Sequence, residues 1–174
     1  CSFCSIRAFY GSSERQRPIP EVIAEIERIE SKAFMFVDDN IFVDAESAKA
    51  LMRALIPLRI RWCCQVSIDI ARDPELLDLM RRSGCMGALI GFESLEPANL
   101  TIAKKRWNIK WLSYEEAISR FRDAGVMLWG AFVHGWDEDG PDIFERTLDF
   151  AIEQKLALAG FNMLMPTPGT RMYD

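Results

Sequence analysis

Five short apolar runs, each preceded or followed by a segment with helical spacing, constrain the fold of this chain more than any other feature. The runs are "AFMFVDDN", "RWCCQVSIDI", "MGALIGFES", "VMLWGAFVHGWD" and "LAGFNMLMPTPGT", and each closes on polar residues, as a buried strand does. Between them the period changes to that of a helix. "PIPEVIAEIERIE" places Val22, Ile23, Ile26 and Ile29 on one stripe, with its prolines at the start where they are tolerated. "DAESAKALMRAL" offers Asp44 as an N-cap, and "DPELLDLMRRSG" offers Asp73 as N-cap, Pro74 at the first helical position and Gly84 as the stop. "SYEEAISRFRDAG" carries a capping box of Ser113 with Glu116 and ends at Gly125, and "PDIFERTLDFAIEQ" supplies one more helix. Strands alternating with helices imply βα units and a parallel sheet buried on both faces, an α/β fold. At 174 residues with 49% hydrophobic content, one domain with one core is expected.

The polar residues fall at the ends of the runs: Asp38, Asp39 and Asn40, then Ser67 and Asp69, then Glu93, then His134 and Asp137, then Thr167. In α/β barrels and open α/β sheets this edge is where ligands bind, so the loops are expected to converge on one site. A formal charge of -5 argues against general attraction to nucleic acid or to an anionic membrane. No run of about 18 apolar residues is present, so no membrane-spanning helix is expected.

Five cysteines, two of them adjacent at Cys63 and Cys64, make a poor disulfide framework. A reducing, cytoplasmic setting follows, with Cys63, Cys64 and Cys85 read as small core hydrophobes. Cys1 and Cys4 differ, because the opening "CSFC" has the C-x-x-C spacing of a chelating or redox pair. A zinc site needs four ligands, and the chain offers one histidine, distant His134, and no second C-x-x-C. Zinc or thiol-redox chemistry, and a non-catalytic barrel kept as a binding module, stand as alternatives to a cluster-binding enzyme.

The ordered blocks "CSFC", "FVDDNI", "IGFESL", "FVHGWDEDGPDIF" and "MPTPGTRMY" resemble those of the radical S-adenosylmethionine (SAM) enzymes, within the branch that often carries an N-terminal cobalamin-binding domain. The resemblance spans essentially the whole chain. It implies a radical SAM core over residues 1–174, folded as a partial (β/α)6 TIM-like barrel of parallel strands. The family signature is C-x-x-x-C-x-x-C with an aromatic residue before the last cysteine, a place that Phe3 fills. The family's first cysteine falls four residues ahead of Cys1, so the chain reads as a fragment opening inside the motif, with the first strand missing.

The same resemblance implies a 4Fe-4S cluster with Cys1 and Cys4 among its ligands, SAM on the open iron, and a 5'-deoxyadenosyl radical made for methyl transfer or another C–H transformation. Cobalamin, in this branch, is bound by a domain outside this chain. Asp38, Asp39 and Asn40 are assigned together to the methionine ammonium, and Glu93 to the ribose hydroxyls. Gly91 permits close backbone approach. Phe3, the backbone near Ile6 and the turn beginning at Pro166 are assigned to the adenine side. The implied partners are an external electron donor and an unidentified small-molecule or lipid substrate, with no nucleic acid.

Overall fold

The computed structural model describes residues 2–11 and 15–173. Its strands, β1 (Ala33–Met35), β2 (Arg61–Val66), β3 (Cys85–Glu93), β4 (Met127–His134) and β5 (Leu158–Met163), form one parallel sheet in the order β1-β2-β3-β4-β5. The strands are parallel, as the alternating βα pattern predicts, and the sheet curls into a half-barrel, as the resemblance implies. Each strand lies beside its successor in sequence, so every connection crosses over the same face.

The connections are helical for the reasons legible in their ends. In α3 (Ala45–Leu55) the Asp44 carboxylate accepts from the Ser47 N–H, and in α4 (Pro74–Ser83) Asp73 accepts from the Leu76 N–H. The capping box of α6 (Tyr114–Asp123) is formed in both directions between Ser113 and Glu116. α7 (Ile143–Glu153) precedes β5, α2 (Ile19–Arg28) precedes β1, and short α1 (Ile6–Tyr10) and α5 (Pro97–Ile102) lie in the loops. Lys49 of α3, nearly buried, places its ammonium 2.8 Å from both Asp73 and Glu75 and ties α3 to the start of α4.

One face of the sheet carries the core. Trp62, Cys64 and Val66 of β2, Ala88, Ile90 and Phe92 of β3, and Leu128 and Phe132 of β4 are buried against Met52, Leu55, Leu76, Met80, Ile118 and Phe121 of the helices. The other face is open. It presents Cys63, Gly87, Leu89, Gly91, Trp129 and Ala131, none of them fully buried. The expectation of a sheet buried on both faces therefore holds for one face alone, and the edge strands β1 and β5 are largely exposed.

Two further expectations are corrected. The run "RWCCQVSIDI" does not stay extended to its end: β2 stops at Val66 and Ile68–Arg72 turns as a 3-10 helix. Its alternating Ile68 and Ile70 look like strand residues, but both are buried by the tight turn, which packs against α6. Ile29 leaves the α2 stripe because it is already extended at the helix end and 46% exposed.

Gly84 ends α4 with φ of 93°, and a Cβ there would collide with the backbone carbonyl of Ile60. Both the left-handed conformation and the close approach require glycine. Gly84→Ala is expected to cost more than about 1 kcal/mol of stability, read as a lowered urea midpoint at unchanged m-value.

Candidate functional site at the strand ends

The segment that carries the C-x-x-C spacing is stitched to the carboxyl edge of the sheet. Ser2 donates its backbone N–H to Ala103 O at 2.9 Å and its hydroxyl to Ile102 O at 3.0 Å, both in the loop region after β3. Its carbonyl accepts from Met172 N at 3.1 Å, beyond β5. Phe3 meets the edge of Trp136, just past β4, with ring centroids 5.5 Å apart. Cys4 is a free, half-buried thiol ahead of α1, and Ile6 is half-buried in the first turn of that helix. Cys1 lies outside the described residues.

The acids expected at the end of the first run sit just past β1. The backbone keeps to β2 on either side of them, through Phe36 N to Cys63 O at 2.9 Å and Ile41 N to Gln65 O at 3.3 Å. Between these anchors Asp38 and Asp39 are exposed at the rim. Asn40 is half-buried and spends its side-chain oxygen on the Phe42 N–H, so it holds the loop. Asp38 comes near enough to Cys64 to act on its thiol. That thiol is pushed strongly up by its hydrogen bond with Cys85, then by burial, with the charges of Cys85, Cys63 and Asp38 adding to the push. Cys64 and Cys85 are buried core residues, as expected, whereas Cys63 is half-buried on the open face. Burial raises the Cys63 thiol as well.

The end of β3 is the most constrained part of the edge. The pairing register with β4 shifts between Gly91 and Glu93, and Glu93 has φ of 68°, which a non-glycine residue adopts at a cost of about 1 kcal/mol or more. Such a bulge takes backbone carbonyls out of the ladder, and here side chains collect them. Gly91 O accepts from Lys105 Nζ at 3.0 Å and Asn108 Nδ2 at 2.9 Å, while Phe92 O accepts from the Tyr114 hydroxyl at 2.7 Å. Glu93, 8% exposed, pairs through Oε1 with Lys105 Nζ at 2.6 Å. A Cβ on Gly91 would collide with both members of this pair, so a side chain there would push the pair out of its present place.

Nothing in the sequence singles out Lys105. It stands in "AKKRW" between Lys104 and Arg106, which are exposed, and nothing in that string separates the paired lysine from its neighbours. The signal comes only with the bulge.

The remaining residues divide cleanly. His134 is 3% exposed, with Nε2 3.3 Å from Thr147 Oγ1 of α7 and its ring stacked on Phe161, so it belongs to the helix side of the sheet rather than to the rim. Asp69 is exposed in the 3-10 turn. Pro166 is exposed, and its turn closes through Thr170 N to Thr167 O at 3.1 Å, with Gly169 against Ala8 of α1. Below the rim, Gly91, Ala131 and Gly160 pair in one row across β3, β4 and β5, which leaves that row of the open face nearly free of side chains.

The family model described as "Radical SAM superfamily" matches residues 1–151. The chain belongs to this superfamily. Its similarity to curated relatives runs over its full length: it is 34% identical to the bacteriochlorophyllide d C-12(1)-methyltransferase of Chlorobaculum tepidum, covering 100% of this chain and 39% of the relative. It is 26% identical to the hopanoid C-2 methylase of Rhodopseudomonas palustris, covering 100% of this chain and 35% of that protein. Among solved structures, the radical SAM methyltransferase TsrM of Kitasatospora setae, with cobalamin and a [4Fe-4S] cluster bound, superposes with a TM-score of 0.82 at 21% identity, over 99% of this chain and 36% of that one. The chain thus spans well under half of the proteins it matches. The radical SAM core is an enzyme fold, and its family binds a 4Fe-4S cluster and SAM.

The residues at the rim fit these groups. A free thiol beside the sheet edge suits a thiolate-held cluster, and exposed carboxylates, a bulged carboxylate and a glycine-lined floor suit a zwitterionic nucleoside ligand.

Removing Lys105 alone leaves the Glu93 carboxylate without its partner in a nearly water-free position. Lys105→Met is expected to destabilise by about 3 kcal/mol, and the double change Glu93→Gln with Lys105→Met to recover most of it, as measured by denaturant unfolding.

Proposed function

We propose that residues 1–174 are the SAM-binding core of a radical SAM methyltransferase or C–H-transforming enzyme, with Cys1 and Cys4 holding the cluster together with a cysteine from outside this sequence. The observation that carries the reading is the convergence of the cysteine segment with Asp38, Asp39 and Glu93 on one edge of the parallel sheet. When bound, the cluster and SAM supply one-electron reductive cleavage to methionine and a hydrogen-abstracting 5'-deoxyadenosyl radical.

The chain's own residues then bind and orient. Asp38 and Asp39 accept hydrogen bonds from an ammonium at the rim, and the Asn40 side chain fixes the loop that presents them. Lys105 immobilises one oxygen of Glu93 and leaves the other to accept from ribose hydroxyls. Gly91 lets the ligand approach the backbone of β3, while Phe3, Ile6 and the turn at Pro166 border the adenine side. His134, locked against Thr147 and Phe161, supports β4 from behind.

Relatives named for bacteriochlorophyllide and hopanoid methylation support methyl transfer to a large, mostly apolar small molecule or lipid. The likeness to TsrM, solved with cobalamin bound, supports the use of cobalamin held by a domain outside this chain. Among the described residues no helix is long and apolar enough to cross a membrane. Four free cysteines among the described residues support a reducing, cytoplasmic setting with an external one-electron donor, and the acidic balance argues against general attraction to nucleic acid.

The test is anaerobic reconstitution with iron and sulfide of a longer form of the chain that supplies the third cysteine, followed by SAM titration in a calorimeter; residues 1–174 alone, one ligand short, should hold little stable cluster. An iron-sulfur chromophore and SAM binding are expected, and a colourless zinc or thiol protein would overturn the reading. Asp39→Ala and Glu93→Ala should each weaken SAM by about 1 to 3 kcal/mol, the range for a lost charge-assisted or buried polar contact. His134→Ala should lower thermal stability and leave SAM affinity close to that of the parent.

A further inference from the structure

The loop after β4 and the helix after β3 are joined by a side-chain pair between buried Asn99 and half-buried Asp139. Asn99 of α5 is fully buried, and its Nδ2 donates to Ser94 Oγ at 3.1 Å and to Asp139 Oδ1 at 2.7 Å. The other oxygen of Asp139 accepts the backbone N–H groups of Gly135 at 2.8 Å and Trp136 at 3.0 Å. The indole of Trp136 is fixed in turn by donation to Val133 O at 2.8 Å, and its ring carries Phe3, the neighbour of Cys4. α5 also reaches the cysteine segment directly, since the carbonyls of Ile102 and Ala103 hold Ser2. One short helix thus grips the segment by two routes.

The amide at position 99 is costly where it stands. Its Oδ1 is buried and has no partner among the described residues. A buried acceptor left unpaired costs free energy that an apolar side chain of the same size would avoid. What the amide supplies in return is a two-hydrogen donor, and both hydrogens are used.

We propose that Asn99 and Asp139 are positioning residues that hold the Trp136–Phe3 contact, and through it Cys4, in register with the loop after β3. The proposal rests on the reading of Cys4 as a cluster ligand, but the positioning itself exists without the cluster and is measurable in its absence. Asn99 and Asp139 act through Trp136 and Phe3 and touch no reacting group.

The experiment compares the parent with Asn99→Asp and with the exchange Asn99→Asp/Asp139→Asn. The single change sets two carboxylates face to face. The exchange restores one amide and one carboxylate, with the amide now on residue 139, where its oxygen still accepts from Gly135 and Trp136. In the cluster-free, reduced protein, well below its melting temperature, the rate of iodoacetamide alkylation at Cys4 is followed by peptide mass spectrometry. Losing the link should raise that rate about fivefold, the equivalent of one hydrogen bond, and the exchange should return it to within about twofold of the parent. After reconstitution of the same variants in a longer form of the chain that supplies the third cysteine, iron content per chain should fall and recover in the same order. If Asn99→Asp does not fold, Asn99→Ala is compared in its place.

Unchanged Cys4 reactivity in a folded single variant, or a folded exchange variant that stays as reactive as the single one, overturns the proposal. A lowered melting temperature with Cys4 reactivity and iron content at parent values also overturns it, because the pair then serves folding alone. A parent supplied with the third cysteine that still takes up no cluster would refute the reading of Cys4, and the alkylation comparison would still decide the positioning.

Discussion

Every crossover in this chain lies on the same face of the sheet, and the rest of the structure follows from that one-sidedness. Parallel strands cannot be joined by tight turns, so each connection brings a helix, and the helices bury Trp62, Ile90, Phe92 and Phe132 on their side. The opposite face is left concave. All carboxyl ends of the strands then point toward one rim, and the residues of chemical interest collect there from five separate stretches of sequence.

The bulge at the end of β3 converts this common scaffold into a specific arrangement. By shifting the register between Gly91 and Glu93 it turns the Glu93 carboxylate to meet Lys105, and it frees carbonyls that Asn108, Tyr114 and Lys105 then bind. Strain in the Glu93 backbone is sustained because the surrounding hydrogen bonds over-determine it. A carboxylate held in this way has little orientational freedom left to lose on meeting a ligand.

How much was legible in the sequence depends on the range of the forces involved. The caps at Asp44, Asp73 and Ser113 and the stop at Gly84 are local, and each formed as its neighbours in sequence implied. Alternation implied parallel strands joined by helices, and the order β1-β2-β3-β4-β5 is that of the partial barrel implied by the resemblance. Ile68 and Ile70 were misleading, since alternation over so few residues fits a strand and a tight 3-10 turn equally well. Asp38, Asp39 and Glu93 were visible as polar ends of apolar runs. Lys105 and the Asn99–Asp139 pair were not, because their partners lie 12 and 40 residues away and nothing in their own surroundings marks them.

The adjacency of Cys63 and Cys64 has a chemical consequence for any metal reaching the rim. A strand turns neighbouring side chains to opposite faces, so one of the two sulfurs inevitably looks into the concavity. Burial keeps the Cys63 thiol above its ordinary range, and a protonated sulfur is a poor ligand for iron. The hollow is thereby chemically quiet although it contains sulfur, because its floor offers an entering metal ion no ready thiolate.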